Sequence, residues 1–130
     1  MTALVDIEQE LITRATVRFP DAVVRDELDN KLLSELPTIQ ITQIPGGGDD
    51  GLKLSRPIVD IDVYDVDRAA AIALAKDVHA WVTGELRGTS SDTVVIGRTG
   101  CLSLPAIRPY ENTSLRRAGG TYEFFCHPVS

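Results

Sequence analysis

Aromatic residues are scarce in this 130-residue chain, which holds three Phe, three Tyr and one Trp, 5% in all. Cysteine is scarcer, with two. Two cysteines cannot build the multiple-disulfide framework of small secreted domains, so Cys101 and Cys126 read as free thiols. No stretch approaches the ~18 consecutive apolar residues of a membrane-spanning helix. The start, MTALVDIEQEL, has no cationic leader followed by an apolar block. A chain made and kept in the cytosol is therefore expected, with no membrane partner. Positive charge is also in deficit, with thirteen Lys and Arg against nineteen Asp and Glu, a net charge of -6. Binding through phosphate contacts needs the opposite balance, so direct nucleic-acid binding is not expected. The hydrophobic fraction of 43% supports one core in a chain too short to expect two, and residues 1–130 read as a single domain.

Catalytic signatures are missing as well. No Gly-x-Ser-x-Gly elbow raises one serine above the others. His79 and His127, with Cys101 and Cys126, have no metal-finger spacing, and His79 falls on the polar face of a predicted helix. Residues from Gly46 to Ser55 have the outline of a phosphate loop, but Leu52 stands where lysine must follow glycine, and Pro57 and a strand follow where a helix should begin. Asp60, Asp62, Asp65 and Asp67 suggest oxygen ligands for a hard cation. An EF-hand counted from Asp60 would need glycine and glutamate where Asp65 and Ala71 stand. Outward-facing strand acids and helix caps account for all four, and no cofactor or metal is expected.

What is present is a clear strand-to-helix unit from Pro57 to Leu86. Val59, Ile61 and Val63 alternate with Asp60, Asp62 and Tyr64, the period of a strand with one buried and one wet face. The period then changes, with Ala71, Leu74, Ala75, Val78, Trp81, Val82 and Leu86 recurring at three- and four-residue steps. Asp65 or Asp67 is placed to cap this helix, and Trp81 is its large anchor. An earlier helix is predicted from about Val5 to Val17, with Leu4, Ile7, Leu11 and Ala15 on one face. Between Ala22 and Leu36 a short strand at Val23–Val24 competes with a turn of helix around Asp29 to Glu35, and the turn of helix is the favoured reading. Thr38 to Ile44 alternates as a strand and ends at Pro45-Gly46-Gly47-Gly48-Asp49-Asp50-Gly51, which reads as a mobile loop of an antiparallel hairpin. Thr93 to Ile96 starts a third strand, broken or bulged at Gly97 to Gly100 and resumed at Cys101 to Leu104. Thr121 to Cys126 is the last. Two helices packed on one face of a four-stranded, mostly antiparallel sheet, an α+β two-layer sandwich, is the economical architecture.

The remaining signal is basic. Arg98, Arg108, Arg116 and Arg117 crowd the last third of an otherwise acidic chain, around an arm held extended by Pro105 and Pro109. Arginine and tyrosine are enriched at interfaces, so Arg108, Tyr110, Arg116 and Arg117 are candidate contacts for an acidic neighbouring subunit. If the arm is extended, Arg116 and Arg117 point to opposite faces and only one of them enters a given contact. Gly46, Gly47, Gly48, Asp49 and Asp50 form the second candidate contact, a loop ordered by a partner.

Three stretches, LPTIQITQIPGG, RPIVDIDVYDVDRAAAIALAKDVHAWV and RPYENTSLRRAGGTYEFFCH, make the chain resemble the tail terminator proteins of long-tailed, non-contractile bacteriophages over nearly its whole length. The resemblance implies a non-enzymatic virion protein without a cofactor. It implies a homo-oligomeric ring, a hexamer, at the head-proximal end of the tail, reached from the host cytoplasm. Its partners would be the major tail tube protein and a head-completion or neck protein. The alternatives are another phage neck or tail-completion protein, a small metal-dependent enzyme using Asp60 and Asp62, and a host ligand-binding module.

Overall fold

In the computed structural model, which describes residues 4–51 and 54–129, the Asp6 carboxylate accepts the Gln9 N–H at 3.1 Å and opens helix α1, Ile7–Arg18. Ile7, Leu11 and Ala15, four residues apart, are its buried stripe, as the spacing predicts. The chain then forms strand β1, Val23–Arg25, and one 3₁₀ turn, Leu32–Ser34. Both readings of the ambiguous segment are thus partly realised. Arg25 ties them together with ion pairs of 3.0 Å to Asp29 and 3.0 Å to Glu35.

Strands β2, Thr38–Asp49, and β3, Ser55–Asp65, follow as an antiparallel pair. Helix α2, Arg68–Ala80, begins at Asp67, whose carboxylate accepts the Ala70 N–H at 2.7 Å. It ends in a wider π turn, Trp81–Glu85. Strands β4, Thr89–Ser90, β5, Val94–Arg108, and β6, Arg116–Pro128, complete the chain.

The sheet has six strands in the order β1-β2-β3-β6-β5-β4 and is curled and mixed, because β1 runs parallel to β2 while the other pairs are antiparallel. The four-stranded expectation is therefore wrong. Two of the strands have three and two residues, too few to show a period, and β5 is interrupted by register shifts at Ile96/Arg98, Cys101/Ser103 and Ser103/Ala106. Each shift inserts residues that break alternation while the strand continues through Pro105, a residue tolerated at bulges and edges.

The glycine stretch also differs from its reading as a loop. β2 runs through it, with Gly48 opposite Arg56 and Asp49 opposite Ser55 beyond a bulge that follows Ile44. Gly46 and Gly47 have φ of 122° and 74°. At Gly47 a Cβ would lie 1.9 Å from the Arg56 carbonyl oxygen, so the bulge demands glycine both for its backbone and for its close approach. Leu52 and Lys53, which entered the loop and phosphate-loop readings, lie outside the described residues.

The main core lies between the helices and one sheet face. Ile39, Ile41, Val59, Ile61, Val63, Tyr122 and Phe124 pack there against Leu11, Ala75, Val78 and Trp81. Trp81 meets Phe19 edge-to-face with ring centroids 5.6 Å apart, a favoured aromatic geometry. The opposite face is not the wet face expected. Leu32, Tyr64 and Leu115, joined by Leu28, Leu36 and Tyr110, form a second apolar cluster over it.

Candidate functional site

Arg108, Tyr110, Arg116 and Arg117, the four arm residues singled out in the sequence, line one open cleft of about 360 Å³ beside Ile107 and Leu115. The ladder brings them there, because Arg108 at the end of β5 is registered against Arg117 near the start of β6. Like charges directly opposite on neighbouring strands repel. Asp62 on β3 resolves the conflict.

Asp62 is 3% exposed. Its Oδ1 accepts from Arg108 at 3.0 Å and its Oδ2 from Arg117 at 2.8 Å. Asp60 is two residues earlier on the same face and accepts from Arg108 at 3.3 Å and from the Thr121 hydroxyl. The other Arg108 terminal nitrogen donates to Thr121 Oγ1 at 2.9 Å. The hydrogen bond to Asp62 is the main influence holding the Arg117 guanidinium above its ordinary pKa, so its positive charge is fixed. The expectation of solvated aspartates is corrected: they are the internal counter-ions of the arm. Three of their four carboxylate oxygens accept guanidinium or hydroxyl donors, which makes the cluster an electrostatic latch across β3, β6 and β5.

Gly119 makes room for the latch. It pairs with Asp62 across the ladder, and a Cβ there would come 2.1 Å from Asp62 Oδ1 and 2.6 Å from the Ile61 carbonyl oxygen. Beside it, Tyr64 packs edge-to-face on Tyr110 at 5.0 Å, and its hydroxyl donates to Gln40 Oε1 at 2.9 Å. Burial pushes the Tyr64 phenol up to about 12. Tyr110 is thus anchored within its own chain.

The neighbouring arginines part as their adjacency predicts. Arg117 turns to Asp62, while Arg116 is exposed and donates to the carbonyls of Thr113 and Leu115. Among the described residues Arg116 and Arg98 have no salt bridge. Arg98 lies over the Phe125 ring, 5.4 Å from its centroid.

The second candidate group is not part of this cleft. Gly46, Gly47, Gly48, Asp49 and Asp50 sit at the opposite end of the β3 ladder, where Gly48 meets Arg56, whereas the cleft end is where Asp65 meets Arg116. Nine strand steps separate the two ends, roughly 30 Å.

His79 is half-buried rather than on a solvated face, with Nδ1 3.1 Å from the Tyr122 hydroxyl. Burial raises both thiols above their ordinary range, that of Cys126 to about 11, so neither is an activated nucleophile. The residues that sequence reasoning missed are Asp60, Asp62, Thr121 and Gly119 as parts of the arginine cluster. The available signal was parity, since one alternation puts Arg117, Gly119 and Thr121 on a single face of the last strand.

No protein-family description matches the sequence, and no curated protein matches it. A chain of the solved structure described as "Virion of native gene transfer agent (GTA) particle" does match. It shares 19% sequence identity, with 89% of this chain and 84% of that chain covered and a TM-score of 0.50. At that identity the likeness is one of fold, and it extends over most of both chains.

Proposed function

We propose that this protein is a structural component of a tailed, phage-like virion, and within it a tail terminator. It is a ring subunit, six to the ring, that caps the tail tube at its head-proximal end, stops tube polymerisation and offers a surface to a head-completion protein. The observation that carries the virion reading is the fold shared with a virion chain over 89% of this chain. The finer position rests on the family resemblance of the Pro-Gly-Gly strand end, the Asp-rich strand with its Ala-rich helix, and the Arg-Arg arm.

The geometry fits a subunit held between neighbours rather than a bond-making centre. Asp60 and Asp62, the carboxylates of the metal-enzyme alternative, are engaged by Arg108, Arg117 and Thr121. A terminator subunit must touch both tail tube and neck, and the hairpin and the cleft lie at opposite ends of one ladder. Deleting the gene and imaging the particles tests the reading. Overlong tails without heads are expected. Normal tails without heads would move the protein to the neck, and normal infectious particles would overturn the virion role.

A further inference from the structure

Strand β5 has an open edge. β6 pairs along one side of it, but β4 covers only Val95 and Ile96 on the other, and Arg87 caps the Thr99 carbonyl at 2.8 Å. From Gly100 to Ile107 no strand among the described residues lies on that side. On this segment Leu102 and Leu104 are 53% and 72% exposed, and Ile107 lines the arginine cleft. An unpartnered apolar edge is a template for pairing with another chain.

The opposite edge of the sheet is β1, which pairs only with β2. The two ends carry opposite charge. From Pro20 to Pro37 five carboxylates outnumber two cations, whereas from Gly97 to Arg117 four arginines face one carboxylate. Internal pairs reduce this contrast without removing it. Asp21, Asp26 and Glu27 are exposed and make no salt bridge among the described residues, and the same holds for Arg98 and Arg116.

The geometry points to a second copy of this chain as the occupant of the β5 edge: the Leu102–Leu104 edge of one copy, flanked by Arg98 and Arg116, meets the β1 edge of the next, flanked by Asp21, Asp26 and Glu27. Each copy offers two different surfaces, so the contact is heterologous, adds copies head to tail and closes into a ring when the rotation allows. Complementary charge sets partner choice and register, while the exposed leucines supply apolar contact. This inference deepens the ring reading and rests on it for the choice of a second copy. The bulges and Pro105 in β5 restrain indiscriminate pairing.

The test reverses charge at exposed positions and follows association of the full-length protein by sedimentation velocity up to about millimolar concentration, a range in which weak homotypic contacts populate. R98E with R116E, or D26K with E27K, should each weaken association at least tenfold. All four substitutions in one chain should restore it, since both ends are then inverted. Hydrogen exchange should slow at Gly100–Ile107 and Val23–Arg25 in the associated wild type, and the melting temperature of each variant should stay within a few degrees of wild type. A wild type monomeric throughout, association indifferent to either reversal, or no recovery in the fourfold variant would overturn the inference. Association through other surfaces would leave the virion reading standing. Absence of the protein from particles would refute that reading while this contact could still be measured.

Discussion

Gly119→Ala adds one methyl group, and the structure gives its cost. The new carbon would meet Asp62 Oδ1 at 2.1 Å, the Ile61 carbonyl oxygen at 2.6 Å and Asp62 Cα at 3.0 Å. Two of these atoms are backbone of the central strand β3 and cannot rotate away. The third can move only if Asp62 leaves Arg108 and Arg117. Overpacking a well-filled site costs about 1–3 kcal/mol, and hydrogen bonds to charged groups add about 1.5–3 kcal/mol each where they cannot be replaced. Both arginines are partly exposed and regain water contacts, so the second contribution is only partly felt. The expected loss is at least ~3 kcal/mol, which in a domain of this size lowers Tm by roughly 10 °C or more. Gly84→Ala is the control. Its Cβ meets nothing within 4 Å and its φ is not positive, so alanine should stabilise the helical turn by about 0.5–1 kcal/mol. Thermal melts followed by circular dichroism, with urea titrations to check the free energies, provide the readout. If Gly119→Ala melted within ~2 °C of wild type, the account of the latch as a filled, backbone-bounded site would be refuted, because overpacking costs are larger than that.

Asp62→Asn should cost about 1–3 kcal/mol and Asp60→Asn less than ~1 kcal/mol, since Asp62 is buried between two arginines while Asp60 reaches solvent. Equal shifts in urea midpoint would contradict that ranking. Gly47→Ala, with its Cβ 1.9 Å from the Arg56 oxygen and φ at 74°, should open the end of the β2–β3 hairpin by about 1–2 kcal/mol. Amide exchange would show this as lost protection at Gly48 and Asp49 while the core stays protected. Alkaline stability should fall above pH 9. The buried Cys126 thiol titrates near 11 when folded and 9.0 when unfolded, so in that window the unfolded chain has lost a proton that the native state keeps. This thiol then contributes a decline of up to about 1.4 kcal/mol per pH unit, and Tyr64 adds a similar one above pH 10. Cys126→Ala should remove the Cys126 share of the decline between pH 9 and 10, leaving the share of the Cys101 thiol, which burial also raises, and an unchanged slope there would count against the burial argument.

Both helices and the central strand were legible because their signals are local and repeated. Ile7, Leu11 and Ala15, or Val59, Ile61 and Val63, each repeat one geometric choice several times. β1 and β4 are too short for such repetition, and their existence depends on the strands beside them. The glycines of β2 mislead because loop entropy and a close-approach bulge favour the same residue, and only the carbonyl of Arg56 distinguishes them. The arm was recognised by composition, but its wiring was not. Asp62 and Arg117 are 55 residues apart, and no periodicity spans that distance. The arginines were expected to seek acids on a neighbour and meet them first at home.

The Asp62 latch also has a mechanical consequence. Strands held only by their ladder can be peeled from a free edge one hydrogen bond after another, because force concentrates on the outermost pair. Arg108 reaches past β6 to Asp60 and Asp62 on β3, so part of any pull on the end of β5 bypasses the β5–β6 ladder and is delivered to the middle of the sheet. Gly119, which has no side chain, and the short side chain of Thr121 leave the space that this tie crosses. A neighbour gripping β5 near Arg108 would therefore be hauling on a braced beam rather than on a loose outer slat.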